Sequence, residues 1–103
     1  MILETVTTVA SWNEEKNLIA ELRKYKLFAC AQSKEIQSTY FWKGKWITEN
    51  EIEITFKHSV NSKEKLLTYL KKFHPYDLPQ ILTYEVSSTA EYEKWVEETI
   101  QEQ

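Results

Sequence analysis

Residues 36–58 read "IQSTYFWKGKWITENEIEITFKH", with apolar positions alternating on both sides of the chain's only glycine, Gly44. Alternation of period two is the signature of a half-buried strand, because successive side chains point to opposite faces. Glycine between the two runs supplies the positive φ that a tight reversal demands, so "WKGKW" reads as a hairpin turn joining two long strands. In the second strand Ile52, Ile54, Phe56 and His58 share one face, while Glu49, Glu51, Glu53, Thr55 and Lys57 share the other. One face is expected to pack under helices, and the opposite one to meet water or a polar interface.

Outward from this hairpin, three Ser or Asn residues stand three positions before a glutamate: Ser11 with Glu14, Asn61 with Glu64, and Ser88 with Glu91. That is capping-box spacing, in which the first side chain accepts from an orphan backbone N–H and the glutamate reaches back. Each pair is followed by one apolar stripe of helical period: Leu18, Ile19, Leu22 and Tyr25; Leu66, Leu67, Leu70 and Phe73; Tyr92, Trp95, Val96 and Ile100. Residues 2–10 and 80–86 are rich in β-branched and aromatic types and read as strands. The resulting order is β-α-β-β-α-β with one further helix. This is an α+β fold of the ferredoxin-like, split βαβ kind, carrying a long hairpin between its second and third strands.

With 103 residues and no Pro/Gly/Ser-rich linker, the chain 1–103 is expected to form one domain. Four Trp, six Tyr and four Phe are more rings than so small a core requires. Part of them is expected to cover a subunit boundary, since large apolar patches on monomers are rare. A net charge of −3 opposes general nucleic-acid binding, and Glu49, Glu51 and Glu53 on one strand face would repel a phosphate backbone. One cysteine, Cys30, permits no disulfide within the chain. The first residues, "MILETVTTVASW", place Thr and Glu where a signal peptide needs an apolar run, and no segment approaches a membrane span. A cytoplasmic protein with no membrane partner is the expectation.

Conventional catalysis is not expected. One glycine cannot build a phosphate-binding loop, and neither Cys30 nor any serine sits in a nucleophile-elbow context. Cys30 and His74 are ligand types that copper or zinc prefers, with Asp77 or Glu85 as oxygen donors, although no CxxC or HxxxH spacing supports them. Lys43, Lys45 and Lys72 are candidate contacts for a small anion. The segment "KKFHPYDLPQI", Lys71 to Ile81, also has a structural reading: Pro75 cannot continue a helix and disfavours helical geometry at His74, and Pro79 precedes the last strand.

The elements "KLFACAQ", "STYFWKGKW", "EIEITFKH", "FHPYDLPQI" and "EYEKW", in this order, resemble the CutA family of divalent-cation tolerance proteins across essentially the whole chain. The resemblance implies a homotrimer similar to the PII signalling proteins, with sheets inward, helices outside, and Tyr40, Phe41, Trp42 and Trp46 at subunit boundaries. It also implies binding of Cu(II) or another divalent cation, with the family's proposed ligands falling on Cys30 and His74, and no further cofactor. Where the family pattern has glutamate after His-Pro-Tyr this chain has Asp77, and where it has Lys-Thr this chain has Lys57 and His58. A PII-like signalling or scaffold trimer, binding an anionic ligand or partner protein in inter-subunit clefts, is the alternative expectation.

Overall fold

The computed structural model describes residues 1–102, with side chains through Ile100. Strand β1 (Ile2–Val9) leads to helix α1 (Trp12–Arg23), followed by strands β2 (Cys30–Trp42) and β3 (Lys45–His58). Helix α2 (Lys63–Phe73), strand β4 (Ile81–Val86) and helix α3 (Ala90–Glu102) complete the chain. The four strands form one antiparallel sheet in the order β2-β3-β1-β4. Each βαβ connection thus spans one intervening strand, which is the interleaving expected from the sequence.

The hairpin turn is tighter than one glycine implies. Trp42 pairs with Lys45, leaving two turn residues, and both Lys43 (φ 49°) and Gly44 (φ 83°) are left-handed. Two positive φ values are the mark of the primed turn whose twist matches the flanking strands. Strand β2 also begins at Cys30, six residues before the alternation became legible, so Cys30 lies in the ladder opposite Lys57.

Capping is correct at α1, where the Glu14 amide donates to Ser11 Oγ (3.2 Å) and Glu14 Oε1 accepts from the Ala10 amide (2.8 Å). The other two boxes shift. Helix α2 starts after Ser62, whose own amide is held by Ser59 Oγ (3.3 Å), and α3 is capped by Thr89, whose Oγ1 accepts from the Tyr92 amide (3.2 Å). Thr89 competes successfully with Ser88 because its carbonyl also takes the Glu93 amide (3.0 Å), the first intrahelical bond.

Ile52, Ile54 and Phe56 pack against Leu18 and Leu22 of α1 and Leu66 and Leu70 of α2, with Val9, Leu27 and Phe28 closing the cluster. Thr5 and Thr7 lie on the same face of β1, fully buried, and are satisfied by hydrogen bonds to His58, Thr83 and the Gln80 carbonyl. The opposite face carries the rows Lys57–Glu4 and Lys34–Glu53 as ion pairs, beside exposed Leu82 and Tyr84. No described helix is long and apolar enough to cross a membrane.

Strand β1 pairs with β3 only as far as Val9 opposite Ile52, whereas β2 and β3 continue through seven more pairs, Ile36–Glu51 to Trp42–Lys45. A two-stranded ribbon therefore projects past the sheet. The radius of gyration, 14.4 Å, accordingly exceeds the about 13 Å of a compact domain of this length, and the long dimension reaches 45 Å.

Candidate functional site

The corner between α2 and β4 positions His74. Helix α2 ends at Phe73 because Pro75 forces His74 into extended geometry (φ −66°, ψ 135°). That turn drives the imidazole inward until it is 8 % exposed. The Tyr76 amide donates to Nδ1 (3.0 Å), which places the proton on Nε2, and Nε2–H reaches the Thr8 carbonyl and Thr7 Oγ1, both at 2.9 Å. Thr7 spends its own proton on the Gln80 carbonyl (2.7 Å). Both ring nitrogens are therefore occupied within the chain. Burial lowers the His74 pKa from its ordinary value, against the opposing pull of the Thr8 carbonyl and the Glu14 and Glu51 charges, so the neutral ring is favoured.

The same corner folds Tyr76 over the open face of the sheet, where its hydroxyl donates to Glu51 Oε2 (2.7 Å). Burial, this hydrogen bond and the charges of Glu51, Glu14 and Glu49 all push the phenol pKa up, which keeps Tyr76 a donor. On the ribbon, Tyr40 donates to Glu49 Oε1 (2.5 Å), and that bond is the main reason its pKa rises to about 12. Glu51 is 6 % exposed, although the alternation of β3 placed it on a wet face. Between corner and ribbon lies a cleft of about 490 Å³, walled by Glu51, Tyr76, Asp77, Ser38, Tyr40 and Trp42. Among the described residues no lysine or arginine lines it.

The sequence candidates are distributed around the molecule. Cys30 is a free, half-buried thiol at the start of β2. In register it stands opposite Lys57, which stands opposite Glu4 of β1, whereas His74 is held at Thr7 and Thr8. Two ladder spacings and three to four residues along the strand separate those positions, roughly 14 Å. Asp77 belongs to the exposed wall of the cleft, and Glu85 lies on β4 opposite Leu3. Among the described residues no three His, Cys, Asp or Glu side chains gather in the manner of a metal site. Lys43 lies over the Trp42 ring (5.9 Å) at the ribbon tip and Lys72 over Phe73 (5.3 Å) on α2, so these lysines occupy separate elements. Phe41, Trp42 and Trp46 are 58 %, 40 % and 71 % exposed, and Phe41 meets Trp46 edge to face at 5.4 Å. Sequence reading missed Glu51 and Tyr76 as a pair, because their contact joins segments 25 residues apart.

Residues 3–99 match the family described as CutA1 divalent ion tolerance protein. A divalent-cation tolerance protein CutA of Pyrococcus horikoshii is 35 % identical over 95 residues, covering 90 % of this chain and 93 % of that protein. The corresponding Thermotoga maritima protein is 36 % identical over 91 residues, covering 85 % and 90 %. Among solved structures, the periplasmic divalent cation tolerance protein CutA of Archaeoglobus fulgidus superposes with a TM-score of 0.90 at 25 % identity, over 97 % of this chain and 99 % of that one. CutA of Synechococcus elongatus gives 0.90 at 30 % identity, over 96 % and 89 %.

Proposed function

Because this chain belongs to the CutA1 divalent ion tolerance family, we propose that it serves divalent-cation tolerance as a homotrimer that binds the cation, copper(II) first, between its subunits. The observation that carries this reading is the ribbon. Seven residue pairs stand clear of the sheet with Phe41, Trp42 and Trp46 largely uncovered. An isolated two-stranded hairpin is marginally stable in water, so a neighbouring copy laid against those rings supplies what the chain alone lacks. The sheet face bearing Leu82 and Tyr84 is a second uncovered surface, consistent with sheets turned inward.

Assembly also bears on the metal. Cys30 is the thiol that can bind as thiolate, and it sits on an edge strand where another subunit's carboxylate or imidazole can approach. Glu85 lies on β4, three strands across the sheet from Cys30, and Asp77 lies on the cleft wall after α2, so each enters such a site only from a neighbour. His74 joins only by giving up a hydrogen bond. A cytoplasmic site of action belongs to the same reading, resting on a single unpaired cysteine, although the Archaeoglobus relative is called periplasmic.

Sedimentation equilibrium at micromolar chain concentration is expected to give three chains per particle, and a monomer would refute the assembly. Calorimetric titration with Cu(II) is expected to show saturable binding that Cys30→Ser abolishes. A Trp42→Ser/Trp46→Ser variant should lose trimer and copper together. Unchanged copper affinity in a monomeric variant would place the site within one chain. His74→Ala, by contrast, is expected to cost about 1–3 kcal/mol of stability in urea unfolding, because it leaves the buried Thr8 carbonyl and the half-buried Tyr76 amide short of partners.

A further inference from the structure

The outer surface of the packed helices α1 and α2 carries a charge balance opposite to that of the chain. Residues 21–26 and 63–73 hold seven of the thirteen Lys and Arg but two of the sixteen Asp and Glu, in a molecule of net charge −3. Arg23, Lys26, Lys65 and Lys71 are exposed and join none of the ion pairs among the described residues. Of the two carboxylates, Glu21 is taken by Lys24 (3.0 Å). A cluster of one sign that its own surroundings leave uncompensated creates a local field, and here that field draws anions.

The cations surround an aromatic floor. Tyr25, just past the end of α1, stacks on Tyr69 of α2 with ring centroids 3.9 Å apart and planes 14° from parallel, and the Phe73 ring follows 5.9 Å from that of Tyr25. Lys65, Tyr69, Lys72 and Phe73 share one stripe of α2 by helical spacing, and Lys24 and Lys26 flank Tyr25. Beside the floor, Ala20, Arg23, Lys24 and Lys26 line a shallow hollow of about 420 Å³. Rings already held by one another lose little freedom on being covered, which suits a docking surface.

What the rings leave available narrows the occupant. Base stacking needs an open ring face, and Tyr25 and Tyr69 turn theirs on each other. A bilayer needs free apolar side chains to insert, and of the large exposed apolar residues only Tyr25 lies in these segments. Stacked rings offer their electropositive edges, and such edges beside ammonium groups attract carboxylates.

We propose that the α1–α2 face around Tyr25 and Tyr69 is the docking surface for an acidic segment of another protein, its carboxylates meeting Arg23, Lys26 and Lys65 and an apolar side chain resting against the paired rings. The face is built within one chain and from other residues than the ribbon and the copper ligands, so the proposal does not rest on the tolerance reading. A trimer with its helices outward leaves the face open.

The test is calorimetric titration of the full chain with the peptide Glu-Glu-Glu-Tyr-Leu-Glu-Glu-Glu, the same peptide with Lys for every Glu, oligothymidylate, and phosphatidylserine vesicles. Salt is held at about 0.1 M, where charges more than about 10 Å apart are largely screened. The acidic peptide is expected to bind one per chain with a Kd below about 100 μM, and the Lys peptide not at all. Lys26→Glu/Lys65→Glu is expected to weaken the acidic peptide by about tenfold or more, with circular dichroism and sedimentation matching the wild type. Lys16→Glu/Lys94→Glu changes the net charge equally on other surfaces and should weaken it less than about threefold. Three outcomes overturn the proposal: no heat from the acidic peptide up to about 1 mM; equal weakening by the two double variants, which would reduce the effect to net charge; or oligothymidylate or vesicles bound more tightly than the acidic peptide.

Discussion

Truncating Phe56 to alanine is expected to remove about 3–5 kcal/mol of folding stability, the range for deleting a fully buried aromatic ring. Phe56 is wholly inaccessible and meets Phe28 edge to face at 5.1 Å. Its cross-strand partners make the loss severe: Ala31 stands opposite on β2 and Thr5 on β1. A small side chain and a hydroxyl already committed to His58 and Thr83 cannot move in to fill the hole. Leu66 and Leu70 above are themselves pinned in the cluster. A domain of this kind holds only about 5–15 kcal/mol in total, so the variant should be close to unfolding. Urea denaturation at one fixed chain concentration is the appropriate measurement, because an assembling chain gains stability with concentration. A loss below about 1.5 kcal/mol would mean that the site collapses, and the account of this core layer would be wrong.

Phe56 also shows what was legible in the sequence. Period two placed Ile52, Ile54, Phe56 and His58 on one face, and all four are buried there. The element order, the hairpin and the terminal helix were likewise readable, since each is written in local periodicity and turn chemistry. Helix α2 begins after Ser62, which makes no side-chain capping bond, and α3 is capped by Thr89 one residue beyond Ser88, because neighbouring serines and threonines compete for the same orphan amides and local spacing cannot rank them. Trp95 belongs to the apolar stripe of α3 by spacing but is 46 % exposed, since the stripe is wider than the face α3 buries through Val96.

The site was less legible than the fold, for a physical reason. Which residues meet across the sheet depends on register and on where the corner lands, and neither is written locally. Face arithmetic assigned Glu51 to a wet surface with Glu49 and Glu53. Only the fold shows that Pro75 turns Tyr76 back across that surface, closing over Glu51 and sparing its neighbours. The same turn took up both nitrogens of His74, the residue that sequence chemistry marked as a ligand. In the sequence, a histidine beside a proline and a tyrosine does not reveal whether its lone pair is free.

Acid is expected to destabilise the protein through its two histidines, beginning near pH 6.5 and well above the range where exposed carboxylates titrate. His58 is wholly inaccessible, with Nδ1–H donated to the Ser59 carbonyl (3.0 Å) and Nε2 accepting from Thr5 Oγ1 (2.7 Å), whose oxygen lies 2.9 Å from that of Thr83. Burial lowers its pKa from the ordinary value, outweighing the Ser59 carbonyl, and Lys63 lowers it further. Burial does the same to His74. With both folded values below the unfolded 6.5, the unfolded chain binds protons first as the pH falls. The stabilisation is complete above pH 6.5 and is lost between there and the depressed folded values. Each histidine contributes a slope of at most about 1.4 kcal/mol per pH unit, and the two together about twice that. Protonating His58 additionally requires the Thr5 hydroxyl to turn over towards Thr83, so that Nε2–H finds an acceptor, and it leaves a positive charge facing Lys63 with no carboxylate among its hydrogen-bond partners. Urea midpoints at pH 7.5, 6.5 and 5.5, at constant ionic strength, should therefore fall progressively in the wild type and about half as steeply in His58→Gln. Midpoints that stay level across that interval would show that both imidazoles titrate in the folded protein as they do in the unfolded chain, and that their burial carries no charge penalty.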